Sequence, residues 1–249
     1  AVTNATKSDL VIDFADAPDT TPPTVSSFGI TTTTVTATLT TDTGTIGLYT
    51  SGTTLATGVT AGTITNTTTG AVTAVAQSSV ATVTAKVLDT ANNEATNTQS
   101  VILGTTGSDA ITETIFNQFI FGFGGADTFT LKDGNTGSVL PIIADYAVNT
   151  SGESIAFGGT AAAWTTAVTD WTIANGVATK TGATSSDFYT AFIAATGAAG
   201  EVVAFVDGGT FLFGEGASNA DTDNTAVVLV GVQATAVATS AGATTVLIA

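Results

Sequence analysis

Between Gly104 and Thr130 the chain returns to the same pattern every nine residues. In rows it reads GTTGSDAIT, ETIFNQFIF and GFGGADTFT. Ile111, Ile120 and Phe129 fall nine apart, Asp109 and Asp127 fall eighteen apart, and Gln118 stands where the middle row would carry its aspartate. Glycine turns the backbone where any side chain would be strained. The apolar residue two positions after each Asp or Gln starts a short strand that points inward. Two rows then make one coil, so residues eighteen apart stack directly, about 4.8 Å apart across a parallel ladder.

The rows resemble a degenerate form of the glycine-aspartate nonapeptide G-G-x-G-x-D-x-U-x, which builds a parallel β-roll around calcium. The resemblance implies that the turns at Gly104, Gly107, Gly122 and Gly125 wrap a cation with backbone carbonyls. Asp109 and Asp127 then supply the hard anionic oxygens that calcium prefers. They stand on one edge, one coil apart, with a single Ca2+ between their turns. Gln118 belongs to the opposite edge, where Glu113 and Phe116 replace glycines, and no ion is expected there. Two ordinary Gly-Asp turns in a glycine-rich β-protein are the competing reading. In calcium-roll proteins the last nonapeptide is commonly followed by x-I-x-D-F-x-x-G-x-D-x-I-x-F. Ile143, Asp145, Tyr146, Gly152, Glu153, Ile155 and Phe157 stand in that order, with Glu153 departing from the usual aspartate. The resemblance implies that Asp145 or Glu153 caps the roll or ligates a second calcium. The later order F-x-D-G-G-x-x-x-F, an acidic turn and D-x-x-V-x-L-x-G-V resembles the closing region of the same proteins. It makes Asp221 and Asp223 further calcium ligands.

Composition narrows the partners. Twenty Asp and Glu stand against four cations (Lys7, Lys86, Lys132 and Lys180), a formal charge of −16, with no Arg, His, Cys or Met. So little positive charge argues against nucleic acid and anionic membranes, which need phosphate neutralised. The same charge favours divalent cations. Absence of Cys removes disulfides, thiol catalysis and zinc-thiolate sites together. With no Met at position 1 the chain reads as a fragment or a processed product. Abundant Thr and Val favour strands, and no run of eighteen apolar residues offers a membrane span. The fold class expected is mostly β: an immunoglobulin-like β-sandwich, then a short parallel roll merging into a β-rich C-terminal domain with one or two short helices.

Three regions follow in order. Residues 1–21 hold a strand-like run, Asp9 to Phe14, which ends a preceding module, and a Pro-rich linker that is stiff and extended. Asp13, Asp16 and Asp19 offer a cation site at that joint or are a solvated acidic linker. Residues 22–103 alternate with period two between turns: Thr34–Leu39, Gly44–Tyr49, Gly62–Thr65, Ala71–Val75, Val80–Leu88 and Gln99–Leu103. That is a sandwich signature. Val83 to Ala95 resembles a strand and loop of bacterial immunoglobulin-like repeats, with Asn92 in place of the usual Gly. Asp89, Asn93 and Glu94 either ligate a cation there or form a polar hairpin loop. Residues 104–249 hold the roll and a C-terminal assembly and secretion domain. Within it a helix is expected over Ser185–Ala195, and a hairpin from Glu201–Val206 to Thr210–Phe213. Ala243–Ala249 forms an apolar tail.

The whole resembles the C-terminal part of bacterial surface-layer proteins or large adhesins exported by a type I system, with an RTX-like calcium roll. That resemblance implies a secreted structural protein of the cell surface, folded by calcium and self-assembling into a layer, sheath or filament. The implied partners are further copies of itself, calcium and cell-surface polysaccharide, with no nucleic acid and no membrane insertion. The C-terminal end of a type I-secreted adhesin is the first alternative. The calcium-binding tail of a secreted hydrolase is the second. With no His, no H-E-x-x-H and no G-x-S-x-G, triads and zinc sites are excluded and no catalytic residue is expected. Asp221 and Asp223 as a glycosidic carboxylate pair are explained more simply as calcium or solvent turns.

Overall fold

A computed structural model describes residues 18–132, 134, 140–148, 152–157, 161–182, 188–195, 197–216, 224–239 and 245–249. The strand-like run at 9–14, Asp13, Asp16, Asp221, Asp223 and the expected start of the helix lie outside the described residues.

The fold is mostly β, with one helix among the described residues. Its first part is a sandwich of β1 (Thr24–Ile30), β2 (Thr34–Thr41), β3 (Gly44–Ser51), β4 (Thr54–Leu55), β5 (Gly62–Ile64), β6 (Thr69–Thr73), β7 (Ala81–Asp89) and β8 (Gln99–Leu103). One layer is the three-stranded sheet β1-β2-β6, and the other runs β4-β3-β7-β8 with β5 against β3. The period-two alternation decides which side is buried. Val35, Ala37 and Leu39 of β2 face inward while their threonine neighbours do not. They meet Ile46, Leu48, Val83, Ala85, Val87, Val101 and Leu103 across a single apolar core. Gln99–Leu103 is a strand with the bounds read from its alternation. β1 and β4 carry no such signal and were not anticipated.

The second layer does not stop at Leu103. The chain coils through β9 (Ala110–Thr112), β10 (Phe119–Phe121), β11 (Thr128–Thr130), β12 (Ile142–Ile143) and β13 (Ser154–Ala156). β10 pairs in parallel with β8, placing Phe119 on Val101, Ile120 on Ile102 and Phe121 on Leu103. β11 pairs in parallel with β9, with Phe129 on Ile111. Both registers are eighteen residues, the two-row coil. A third coil follows with longer turns: β12 joins β10 and β13 joins β11. Ile102, Ile120 and Ile143 point into the roll against Ile111, Phe129 and Ile155. Phe119 and Phe121 point the other way, into the sandwich core. This explains why β10 reads as an unbroken apolar run while β9 and β11 alternate. A parallel strand covered on both faces is apolar throughout, whereas Thr112 and Thr130 face solvent.

The remainder wraps the far side of the roll with β14 (Ala162–Ala163), β15 (Trp171–Ala174), β16 (Val177–Lys180), α1 (Phe188–Ala195), β17 (Glu201–Val206), β18 (Gly209–Gly214), β19 (Thr225–Val230), β20 (Val237–Thr239) and β21 (Thr245–Ile248). β19 pairs in parallel with β12, so the sandwich layer, the roll and the C-terminal strands share one thirteen-stranded sheet among the described residues. β17 and β18 form the expected hairpin. Their Val202, Ala204 and Leu212 pack toward the roll, while Val203, Phe205 and Phe213 pack with Trp164, Trp171, Phe188 and Phe192 beneath α1. The apolar tail becomes β21, paired antiparallel to β13 and β20, and closes the second face of the roll.

Candidate functional site

The roll has two edges built from the same backbone and opposite chemistry. On the first edge, Asp109, Asp127 and Glu153 each precede a strand residue of one ladder, Ala110, Thr128 and Ser154, which are register partners. The three carboxylates therefore occupy successive coils of one column. Asp109 and Asp127 do stack one coil apart: Asp109 N–H donates to Asp127 Oδ1 at 2.9 Å, and Thr128 N–H donates to the Asp109 carbonyl at 2.8 Å. The turns below them are in direct contact. A Cβ on Gly125, whose φ is +119°, would come within 2.4 Å of the Gly107 carbonyl carbon. Gly104 and Gly122 lie beneath carboxylates for a related reason. A Cβ on Gly122 would sit 2.4 Å from Asp127 Oδ2.

Asp145 takes the place in the third coil that Gly104 and Gly122 hold in the first two, because Ile143 registers on Ile120. Its carboxylate reaches back and accepts Gly122 N–H at 2.9 Å and Phe123 N–H at 2.8 Å. In the first coil the equivalent N–H, that of Thr105, is taken by Asp109 at 2.6 Å. Asp145 thus displaces Asp127 from its own turn. Asp127 is fully buried, and its Oδ2 has no hydrogen-bond partner. Glu153 is 3% exposed; its Oε2 accepts Ala147 N–H at 2.5 Å, and its carbonyl accepts Tyr146 O–H at 3.0 Å.

The electrostatics follow from this crowding. Burial, then the charges of Asp109 and Asp145, push the Asp127 carboxyl up to about 6 against the Asp109 N–H bond. Burial, then Asp127 and Asp145, push Glu153 up to about 7 against the Ala147 N–H bond. Burial raises Asp145 too, opposed by its two N–H donors. A desolvated carboxylate among like charges favours its neutral form. A divalent cation removes the same penalty by compensating the charge.

The second edge is built mainly on amides, though Glu113 Oε1 there is buried without a hydrogen-bond partner, as Asp127 Oδ2 is on the first. Gln118 is fully buried. Its Oε1 accepts Thr114 N–H at 2.8 Å and Ile115 N–H at 3.4 Å, and its Nε2 donates to Ser100 Oγ at 2.9 Å. Gln99 Nε2 donates to the carbonyl of Asn117, which takes φ +65° in the turn. Glu113 is the one buried carboxylate placed here; its Oε2 accepts Lys132 N–H at 2.9 Å, and burial raises its carboxyl.

A third arrangement lies at the entrance to the sandwich. Asp19, Asp42 and Asp89 bring carboxylate oxygens within 4.8 Å of one another. No trio on the roll edge is drawn that close among the described residues. The linker, the β2–β3 turn and the end of β7 supply one residue each. Asp89 holds its own loop through Ala91 N–H and Asn93 N–H, both at 2.8 Å, and Asn93 Nδ2 at 2.7 Å. Burial alone would raise its carboxyl, and these bonds outweigh it to hold it below the usual carboxylate range. Asn93 also donates to the Asp19 carbonyl at 3.0 Å, tying down the linker. Glu94, grouped with Asp89 by sequence, turns away to pair with Lys86 at 2.5 Å. Asp42 was not singled out; its signal was a lone Asp before Thr-Gly in a tight turn, where it adopts φ +70°. Aspartate tolerates that region better than most residues.

No family model, no curated protein and no solved structure matches this chain. Among the described residues, no helix is long and apolar enough to cross a membrane.

Proposed function

We propose that this chain is a secreted structural protein whose roll is completed by calcium and which assembles with copies of itself at a cell surface. One observation carries the calcium reading: Asp127 Oδ2 is buried without a donor in a column with Asp109 and Glu153, with Asp145 occupying its turn. The residues suit a hard cation, since every side-chain ligand on that edge is a carboxylate oxygen. Asp127 would be the central ligand, with Asp109, Glu153 and the carbonyls of the glycine turns around it. The ion supplies charge compensation that no hydrogen bond on this edge provides. Binding free energy then becomes folding free energy, because the carboxylates repel one another until the cation arrives. Extracellular calcium modules with dissociation constants of about 10⁻⁴–10⁻³ M are filled where calcium is millimolar.

Self-assembly is supported by a continuous β-sheet and by a charge of −16 that calcium would relieve. The test is a chelator titration followed by circular dichroism and negative-stain microscopy. Assemblies present with calcium should dissolve as it is removed, and assemblies unchanged in excess chelator would overturn the reading. Asp127→Asn should abolish the calcium response while Asp89→Asn leaves it in place. The reverse result would move the ion to the sandwich entrance.

A further inference from the structure

The first two turns of the carboxylate edge follow one pattern and differ in which side chain holds them. Gly104, Thr105 and Asp109 of the first stand eighteen residues before Gly122, Phe123 and Asp127 of the second. In the first turn Asp109 holds its own loop. Its Oδ2 accepts Thr105 N–H at 2.6 Å, and Gly104 N–H donates to the Phe121 carbonyl at 2.8 Å. In the second turn both equivalent amides go to Asp145, Gly122 N–H to Oδ1 at 2.9 Å and Phe123 N–H to Oδ2 at 2.8 Å. Asp127 Oδ2 still lies over its turn, 2.4 Å from where a Gly122 Cβ would stand, as Asp109 Oδ2 lies 3.0 Å from a Gly104 Cβ. It is buried there without a donor. The backbone records the exchange. Phe123 takes φ +67°, a region that bulky residues rarely adopt, and Thr105 does not. The Phe123 ring stacks on Phe121 with centroids 5.9 Å apart and packs against the sandwich core.

We propose that Asp145 is the positioning residue of the calcium site: it takes the amides of the Gly122–Phe123 turn and so keeps the Asp127 carboxylate free for the ion. The inference rests on the calcium reading of this edge and gives Asp145 a role other than ligand. An oxygen that accepts a backbone N–H has a lone pair committed, and a cation has to compete with that bond. Left alone, Asp127 would close on Phe123 N–H as Asp109 closes on Thr105 N–H, and the second turn would be finished like the first. Asp145 reaches back from the third coil and bonds both amides at once. These bonds are charge-assisted and offset the backbone strain at Phe123. The oxygen left over on Asp127 needs no bond broken when the ion arrives, which is preorganisation. This is why Asp127, and not Asp109, is the central ligand.

Asp145→Ala tests this, read first without the ion. In excess chelator, amide exchange of the full chain followed by NMR should show Phe123 N–H still protected, now by Asp127, while Gly122 N–H exchanges faster. Combining Asp145→Ala with Asp127→Ala should expose Phe123 N–H as well. A merely structural role for Asp145 would leave Phe123 N–H unprotected in the single variant. Calorimetry should then show calcium binding about tenfold weaker or more in Asp145→Ala, because the ion has to displace a charge-assisted bond. Asp145→Asn keeps the shape and one acceptor. It should fall between wild type and Asp145→Ala in both measurements, and it carries the test if the alanine variant does not fold. Free exchange of Phe123 N–H in the single variant, or an unchanged calcium affinity, overturns the inference. Loss of affinity together with free exchange would make Asp145 a ligand instead. A wild type that binds no calcium sinks the proposed function, while the exchange pattern in chelator still decides whether Asp145 holds Asp127 off its turn.

Discussion

The two edges of the roll solve one problem twice. Each must turn a chain sharply between parallel strands and satisfy the backbone groups the turn exposes. Gln118 does so with a neutral amide that donates and accepts. The facing edge relies chiefly on carboxylate acceptors, with the Thr105 hydroxyl donating to Asp109, and its buried Asp127 oxygen is left over. An ionised carboxylate has no proton to give, so its crowded oxygens call for an electron-pair acceptor from elsewhere, and a cation is one that also cancels charge. One edge is finished largely by its own amides; on the proposed reading the other is completed by a bound cation.

Gln118→Leu attacks the finished edge and should have the largest effect. Removing the three hydrogen bonds of its fully buried amide, to Thr114 N–H, Ile115 N–H and Ser100 Oγ, costs about 3 kcal/mol at about 1 kcal/mol each, with calcium affinity unchanged. Urea denaturation with and without calcium reads both numbers, and a calcium-dependent loss would mean that the edges are not independent.

Asp127→Asn attacks the unfinished edge. Wild type should gain about 2.7 kcal/mol when free calcium is 100 times its dissociation constant, and the variant should gain nothing. Without calcium the variant should match or exceed wild type, since it removes a crowded buried charge. Calorimetric melts settle the ordering.

A third test is the pH dependence of the calcium-free protein. Asp127 and Glu153 have folded pKa values near 6 and 7, above their ordinary 3.8 and 4.5. The folded state holds more protons between those limits, so stability falls as pH rises from about 4 to 7. Asp89 and Glu201 are shifted the other way, and their contribution is lost only below that window. Saturating calcium should remove the slope, and a chelated protein that gains stability toward pH 7 would contradict the crowding.

The roll was legible because its signal is local: nine-residue spacing predicts the eighteen-residue register of Phe129 on Ile111 and Ile120 on Ile102. Even the apolar run Phe119-Ile-Phe121, odd for an alternating strand, makes sense once its outer side is covered. What local pattern could not convey is reach. Asp145 meets Gly122 across 23 residues because the third coil has longer turns. The Asp19–Asp42–Asp89 group joins three segments that share no motif. The β15–β16 hairpin that brings Trp171 to Phe188 and Phe192 was hidden in a weakly patterned stretch.

The pairing of β8 with both β7 and β10 has a mechanical meaning. No flexible joint separates the sandwich from the roll. Tension entering at one end crosses to the other through a hydrogen-bonded ladder loaded in shear, with Phe119 and Phe121 keyed into the sandwich core. A chain under load would be stiff at this seam and would yield elsewhere first.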